Sequence, residues 1–322
     1  MARNQRFAAG EVDRPRLPVP AARSADPVPT TPLGDLDALN ALEDPTEPVT
    51  LGASLGEFPA DDWDRYEQLA FIAAGGMGEV HKVWDRRLRR TVALKFLEAE
   101  RPSEPGRFLE EACAQALVEH PAICRVHEIG EVWGKPHTAM QYAAGESLEH
   151  AAAAMTLVEQ VEVMREVALA VHAAHEAGLV HRDLKPGNVL VERSPCDGRL
   201  HPYVTDFGLA RALRLGGEGS SRPTPRCARG PSNVVGTPNY MAPESARRGP
   251  REPDRRTDAY GLGATLYFLL TGRPPFDGGG PVEILMALHT DEPPRPRRLD
   301  PTIPAALEGI VARCLAKDPA AR

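Results

Sequence analysis

The spacing of hydrophobic residues changes twice along this chain. From Met1 to about position 60 the apolar residues follow no period, and Pro, Ala, Asp and Glu dominate. A stretch such as "RPRLPVPAARSADPVPTTPLG" has too few large apolar side chains to cover a core. Residues 1–62 therefore read as a disordered or extended Pro/Ala-rich arm. Within it, Leu33–Leu42 carries leucines at roughly helical spacing, so a short docking helix is the alternative to a solvated tail. From Trp63 onward, short strand-like runs cover Leu69–Ile72, Gly78–Trp84 and Arg90–Phe96. A helix is predicted over Gly106–Val118, with Phe108, Leu109 and Ala112 on one face. Two more strands are predicted over Cys124–Val132 and Pro136–Tyr142. After Gly145 the period lengthens. Leu157–Ala177 predicts a long helix with Val161, Met164, Val167, Ala168, Val171 and His175 on its apolar face. Further helices are expected at Thr257–Leu270 and Leu307–Leu315. There is no internal repeat. The folded part is β-rich first and helix-rich second, with the boundary near Ala143–Gly145.

Composition narrows the class. A chain of 322 residues can bury a substantial core as one large domain or two lobes. Its net charge of −7 argues against general binding to nucleic acid. No stretch approaches the roughly 20 apolar residues of a membrane span, and the N-terminus lacks the apolar run of a secretory signal. The five cysteines are scattered without a C-x-x-C pair, as expected for reduced thiols in a cytoplasmic protein with neither a zinc site nor a disulfide frame.

The densest chemistry lies in "VHRDLKPGNVLV", Val180–Val191, which places His, Arg, Asp, Lys and Asn beside an apolar strand. A loop built only for structure rarely needs so many charges next to a core. In phosphoryl transfer each has a use. A carboxylate orients and deprotonates an attacking hydroxyl, a lysine two residues on neutralises the transferring group, and an amide oxygen holds a metal. "VTDFGLA", Val204–Ala210, then offers a second metal-binding carboxylate on a movable hinge. Upstream, "FIAAGGMGEVHKVWD" reads as a strand, a glycine-rich turn and a returning strand, a shape that covers phosphates.

These stretches together resemble the protein kinases, specifically the bacterial eukaryotic-like (Hanks-type) serine/threonine kinases. The resemblance runs from about Tyr66 to Arg322. It rests on "GGMGEV", "VALK" (Val92–Lys95), "RFLEEA" (Arg107–Ala112), "HRDLKPGN" (His181–Asn188), "DFG" (Asp206–Gly208), "GTPNYMAPE" (Gly236–Glu244) and "TDAYGLGATLYFLLTGRPPF" (Thr257–Phe276). It implies an α+β, two-lobed fold. A small β-rich N-lobe with one main helix covers about 63–143, and a larger helical C-lobe covers about 144–322. ATP would lie between the lobes with Mg²⁺, or Mn²⁺ as an alternative. The chain stops inside a helix of the family pattern, so its C-terminal end is expected to be truncated.

The resemblance assigns roles residue by residue. Lys95 contacts the α- and β-phosphates and Glu111 pairs with it. Asp183 takes the substrate proton, Lys185 stabilises the γ-phosphate, and Asn188 and Asp206 hold the metal. The nucleotide is covered by Ile72, Ala73, Ala74, Gly75, Gly76, Met77, Gly78, Glu79 and Val80. Val80, Ala93 and Leu190 sandwich the adenine, Met140 is the gatekeeper, and Gln141–Ala143 form the hinge. His181 and Phe207 pack, Asp258 braces the catalytic loop, and Glu244 pairs with Arg322. Read singly, Lys95 would be an exposed edge lysine and Glu111 a solvated helix charge; only their co-occurrence with the other motifs gives them catalytic roles. Lys185 and Thr237 match Ser/Thr rather than Tyr specificity.

Two positions depart from the family. Ala73 replaces the first glycine of the phosphate loop, a change costing about 1 kcal/mol if alanine fits the local backbone. Gln115 stands where an apolar residue is preferred. These departures leave an ATP-binding pseudokinase or scaffold as the alternative function, and a small-molecule kinase of related fold as a third. The segment between Asp206 and Glu244 is polar and glycine-rich, and Arg182 precedes Asp183. That pattern implies autophosphorylation in trans at Ser220, Ser221, Thr224 or Ser232, through self-association, with a phosphate held by Arg182. The expected partners are protein substrates bearing Ser/Thr, with no nucleic acid and no membrane span in this chain. The expected location is cytoplasmic, with a membrane-anchored parent protein as the alternative.

Overall fold

The computed structural model describes residues 58, 63–75, 78–97, 118–207, 238–246 and 254–322. The chain divides into two units, Met1–Leu51 and Gly52–Arg322, and every described residue belongs to the second. The arm apart from Phe58, the predicted helix over Gly106–Val118 apart from Val118, and Gly76, Met77, Gly208, Ser220, Ser221, Thr224, Ser232 and Thr237 lie outside the described residues.

The first part of the domain is an antiparallel sheet. Its strands are β1 (Tyr66–Gly75), β2 (Gly78–Asp85), β3 (Arg90–Leu97), β4 (Val126–Val132) and β5 (Lys135–Gln141), in the order β1-β2-β3-β5-β4. β2 alternates buried and partly buried positions along its length, the period-2 signature of a half-buried strand. β3 is central and buried nearly throughout, which its apolar "VALKFL" run requires. One face of this sheet packs Tyr66, Val83, Val92, Leu94, Phe96 and Ala139 together with Phe58, which lies ahead of the first strand. Two imidazoles are buried with them. His81 stacks edge-on against Phe58 at 5.3 Å, and His137 against Trp63 at 4.7 Å. Burial lowers the pKa of both and so favours the neutral ring.

A short chain segment leads to β6 (Glu146–Ser147), which joins β7 (Val189–Arg193) and β8 (Leu200–Val204) in a second antiparallel sheet. Gly145 precedes it, and a Cβ built there would lie 2.0 Å from the Val191 carbonyl oxygen, so only glycine lets the two backbones meet. Around this sheet stand α1 (Leu148–Ala151), α2 (Leu157–Glu176), α3 (Pro243–Ala246), α4 (Arg255–Thr271), α5 (Pro281–Thr290), α6 (Pro296–Leu299) and α7 (Ala305–Cys314).

Thr156 caps α2. Its hydroxyl accepts from Glu159 N at 3.3 Å, while the Glu159 carboxylate accepts from Thr156 N at 2.8 Å. That backbone bond, with Arg193 at 2.9 Å, holds the Glu159 carboxyl down at about 2.

The buried face of α2 is Gln160, Val163, Met164, Val167, Ala170, Val171 and Ala174. This corrects the sequence expectation, because Val161 and Ala168 point outward. The inner face uses small residues, with Ala170 and Ala174 fully buried, because α2 packs closely against α4 and β8. α4 ends on Gly272 at φ +72°, the left-handed stop that glycine supplies. The α5 and α6 helices were not assigned from sequence. Both start with proline at their first turn and α5 buries only Ile284 and Leu288, too sparse a stripe to stand out.

Candidate active site

The catalytic loop runs between α2 and β7 and closes in a single 3₁₀ turn, Pro186–Asn188. Asp183 stands half-exposed at its centre. Its Oδ2 accepts from Lys185 Nζ at 3.0 Å and from Asn188 Nδ2 at 3.1 Å, and its backbone carbonyl accepts from the same Nδ2 at 2.7 Å. The amide nitrogen of Asn188 is thus turned inward, and the side chain is 7% exposed. That orientation frees its Oδ1 to face a cation. Three of the five residues read as catalytic from sequence thus meet, with Lys185 and Asn188 both bonded to the Asp183 carboxylate.

A second aspartate, Asp206, follows the end of β8. Thr205, just ahead of it, donates its N–H to the Asn188 carbonyl at 2.9 Å and its hydroxyl to the same oxygen at 3.2 Å. His181 bridges the two segments. Its Nδ1 accepts from Asp183 N at 3.3 Å, which puts the proton on Nε2, and Nε2 donates to the Thr205 carbonyl at 2.9 Å. The His181 ring lies 4.6 Å from the Phe207 ring. Arg182 and Asp206 adopt left-handed backbone, φ +71° and +61°. Such conformations cost about 1–3 kcal/mol each outside glycine and persist where the surroundings dictate them.

Lys95, from the centre of β3, is 5% exposed and donates to Asp206 Oδ1 at 2.5 Å. It is not the edge lysine that an isolated strand would suggest. Glu111, its expected partner, lies outside the described residues. The contact with Asp206, 111 positions away, had no signal in the sequence.

The wall beside Lys95 is apolar. Ala93, Met140 and Cys124 form one buried cluster, with Val80, Tyr142 and Tyr203 packed on it. Cys124, which the sequence reading passed over, donates its thiol to the Gln141 carbonyl at 3.3 Å. Burial, with the Asp206 charge adding to it, pushes that thiol up to about 12, so it stays protonated and unreactive. Ala143 is buried and Leu190 half-buried. The surface is apolar, which suits a nucleobase.

At the mouth, Ile72, Ala73 and Ala74 are exposed on β1. Ala73 pairs with Val80 just after a register shift, and its φ is negative, so the methyl group that replaces the family glycine sits in unstrained strand. Gly78 is the position that needs glycine, at φ +120°. Glu79 and Val80 continue into β2.

The loop rests on α4. Asp258 Oδ1 accepts from Arg182 N at 2.7 Å and its Oδ2 from His181 N at 2.8 Å, so the left-handed Arg182 is pinned from beneath. Gly261, one turn on, faces Leu184, and an added Cβ would lie 2.7 Å from Leu184 Cβ and 3.0 Å from its carbonyl oxygen. Gly261→Ala is expected to lift the loop and cut phosphoryl transfer on the order of 10²-fold, the usual consequence of a 1 Å displacement. A steady-state assay at saturating ATP measures it; unchanged kcat would mean that Leu184 yields without moving Asp183.

Residues 66–322 match the protein kinase domain model. The serine/threonine-protein kinase PknB of Mycobacterium tuberculosis is 35% identical over 266 residues, covering 80% of this chain and 40% of that protein. A probable serine/threonine-protein kinase of Streptomyces coelicolor, SCO3848, is 37% identical over 265 residues, covering 79% of this chain and 37% of its own length. The chain thus spans about 40% of the length of the curated relatives it matches. Among solved structures, the Mycobacterium tuberculosis PknI kinase domain superposes with a TM-score of 0.59 at 28% identity, covering 80% of this chain and 91% of that one. The family match starts at the first residue of β1 and runs to Arg322, taking in every described strand and helix, and the chain therefore belongs to the protein kinases.

Proposed function

We propose that this chain transfers the γ-phosphate of ATP to serine or threonine hydroxyls of proteins. The observation that carries the reading is the convergence of Lys185 and Asn188 on the Asp183 carboxylate, with His181 tying that group to the segment that presents Asp206. Asp183 accepts the proton of the attacking hydroxyl. Lys185 balances charge on the moving phosphoryl group. Lys95 holds the inner phosphates, and Glu111 is its proposed partner. The phosphate cover is formed by residues 72–80, and the adenine seat by Val80, Ala93, Met140, Gln141, Ala143 and Leu190.

The donor set fits a magnesium ion. Asn188 Oδ1 and the Asp206 carboxylate are hard oxygens, and Mg²⁺ takes one or two such protein groups and completes its shell with phosphate and water. Mn²⁺ is the alternative occupant. When bound, the ion neutralises phosphate charge and fixes its orientation. The negative φ at Ala73 weakens one of the grounds for a nucleotide-binding scaffold without turnover.

The proposed domain begins near Trp63, with Phe58 anchoring it from the preceding arm. Among the described residues no helix is long and apolar enough to cross a membrane. We place the kinase domain in the cytoplasm, where ATP is available, whatever the rest of a longer protein does.

The test is transfer of labelled phosphate from Mg-ATP to a generic basic protein, with sugars and aminoglycosides as the competing acceptor class. Label in protein alone supports the reading; label in the small molecules alone replaces it. We also propose autophosphorylation in trans at Ser220, Ser221, Thr224 or Ser232. Mass spectrometry after incubation with ATP is expected to find phosphate on at least one, at a rate that rises with protein concentration. An active enzyme without loop phosphate would refute this part.

A further inference from the structure

We propose that the groove between α6, α7 and the end of α4 is a docking site for an acidic, leucine-bearing segment of a partner protein. The groove has a volume of about 1200 Å³, more than the roughly 300–1,000 Å³ of a small-molecule pocket. It lies away from the chemistry. Asp258, beneath the catalytic loop, stands in the first turn of α4, whereas Tyr267 near the other end and Arg273 beyond it line the groove. At the rise of an α-helix, roughly 15–20 Å separates the two places.

The rim is basic, although the chain carries a net charge of −7. Arg273, Arg295, Arg297 and Arg298 line it against two carboxylates, Glu292 and Glu308. All four arginines are exposed, and none forms an ion pair among the described residues. The segment that carries three of them is stiff. Pro293, Pro294 and Pro296 fix φ at three of four successive positions. Pro296 is buried, and Arg297 N donates to Glu308 Oε2 at 2.9 Å, which fastens the segment to α7. Groups held in place beforehand lose little freedom on binding. A guanidinium fork meets a carboxylate with two parallel hydrogen bonds. The floor is apolar. Tyr267 is fully buried with Arg273 beside its hydroxyl, Val311 and Leu315 are buried along the same lining, and Leu299 is 38% exposed at the edge. A ligand matched to both parts needs acidic groups for the rim and aliphatic side chains for the floor. A flat anionic bilayer would meet the arginines and miss the recessed floor. The binding stands on the groove alone; its use in capturing protein acceptors rests on the kinase reading.

The probe is a fluorescein-labelled peptide of interspersed Asp, Glu and Leu, followed by anisotropy with the full chain. Binding is expected to saturate and to weaken as salt rises. It is expected to be about tenfold weaker or more in the triple variant Arg295→Ala, Arg297→Ala, Arg298→Ala. These side chains are exposed, so the melting temperature should stay within about 2 °C. Arg273→Glu, from outside that segment, gives an independent loss of binding should the triple variant fail to fold. Fusing the peptide to a protein acceptor through a flexible Gly/Ser linker is expected to lower KM for that acceptor about fivefold or more in the wild type. The gain should vanish in the triple variant, with kcat and KM for ATP unchanged. Equal binding of a peptide with Lys in place of the acids, or undiminished binding by both variants, overturns the proposal. So does arginine-dependent sedimentation with phosphatidylserine vesicles, or arginine-dependent self-association of the chain, in the absence of peptide binding. Peptide binding without a KM shift supports the dock and refutes substrate capture. Absence of phosphoryl transfer in the wild type would count against the kinase reading alone, because anisotropy reads the groove without turnover.

Discussion

Asp183→Asn is expected to lower phosphoryl transfer by about 10²–10⁴-fold, the usual contribution of a positioned general base, while ATP binding survives. The amide is nearly the same size and still offers an oxygen to Lys185 Nζ and Asn188 Nδ2, which now lie 3.0 and 3.1 Å from Oδ2. The loop therefore keeps its shape and loses its base. Stabilisation of the fold by Mg-ATP should persist, because Lys95, Asn188 and Asp206 remain. Transfer measured beside thermal stabilisation by nucleotide separates the two effects. A variant that retains wild-type turnover would remove Asp183 from the mechanism. Loss of nucleotide stabilisation as well would mean that the carboxylate charge organises the site before chemistry begins.

The largest expected loss of stability follows from breaking the pair of Glu244 and Arg322. The Arg322 side chain is 0% exposed and grips Glu244 with two bonds, 2.6 and 2.9 Å. It also donates to the Ala316 and Arg256 carbonyls at 2.8 and 3.0 Å and lies over the Tyr260 ring at 4.9 Å. Removing one member of such a pair strands the other in a poorly hydrated place, at a cost of about 3–5 kcal/mol. For a domain of this size that corresponds to a melting point lower by roughly 10 °C in either Arg322→Ala or Glu244→Gln. A drop of only a degree or two would show that water reaches the pair.

The same pair has a pH signature. Burial pushes the Glu244 carboxyl up, but the bonds from Arg322, with help from Thr257, outweigh burial and leave it below its ordinary value of 4.5. A group depressed on folding stabilises fully above its unfolded pKa, and its contribution disappears as pH falls through the folded value. Acid unfolding should therefore become shallower below about pH 4.5 in Arg322→Ala, a difference visible in denaturation midpoints taken across that range.

The cluster of Asp183, Lys185 and Asn188 was legible because its members sit within a few residues of one another. Asp183, Lys185 and Asn188 need only one loop to meet, and the loop is written contiguously. The strands were legible where one face is wet, as in β2, where alternation marks the edges to within a residue. The long helix was found, but its face was misassigned at Val161 and Ala168. Large apolar side chains were weighted as core, whereas close helix packing placed Ala170, Ala174 and Gln160 there instead. Contacts between distant segments came from the family resemblance or not at all. The brace of Asp258 on the loop, 77 positions from His181, and the pair of Glu244 and Arg322 were expected only through the resemblance, while the bond of His175 to Asp258, 83 positions apart, was not expected. No local pattern records a hydrogen bond of that span; it exists only once two helices have packed.

The bare backbone contact at Gly145 joins two runs of chain with no side chain between them. The segment that follows β5 is seated directly against Val191, next to Leu190, which is proposed to lie under the adenine. Any larger residue at Gly145 would drive its Cβ into the Val191 carbonyl and wedge the two backbones apart, without touching a single group of the proposed chemistry.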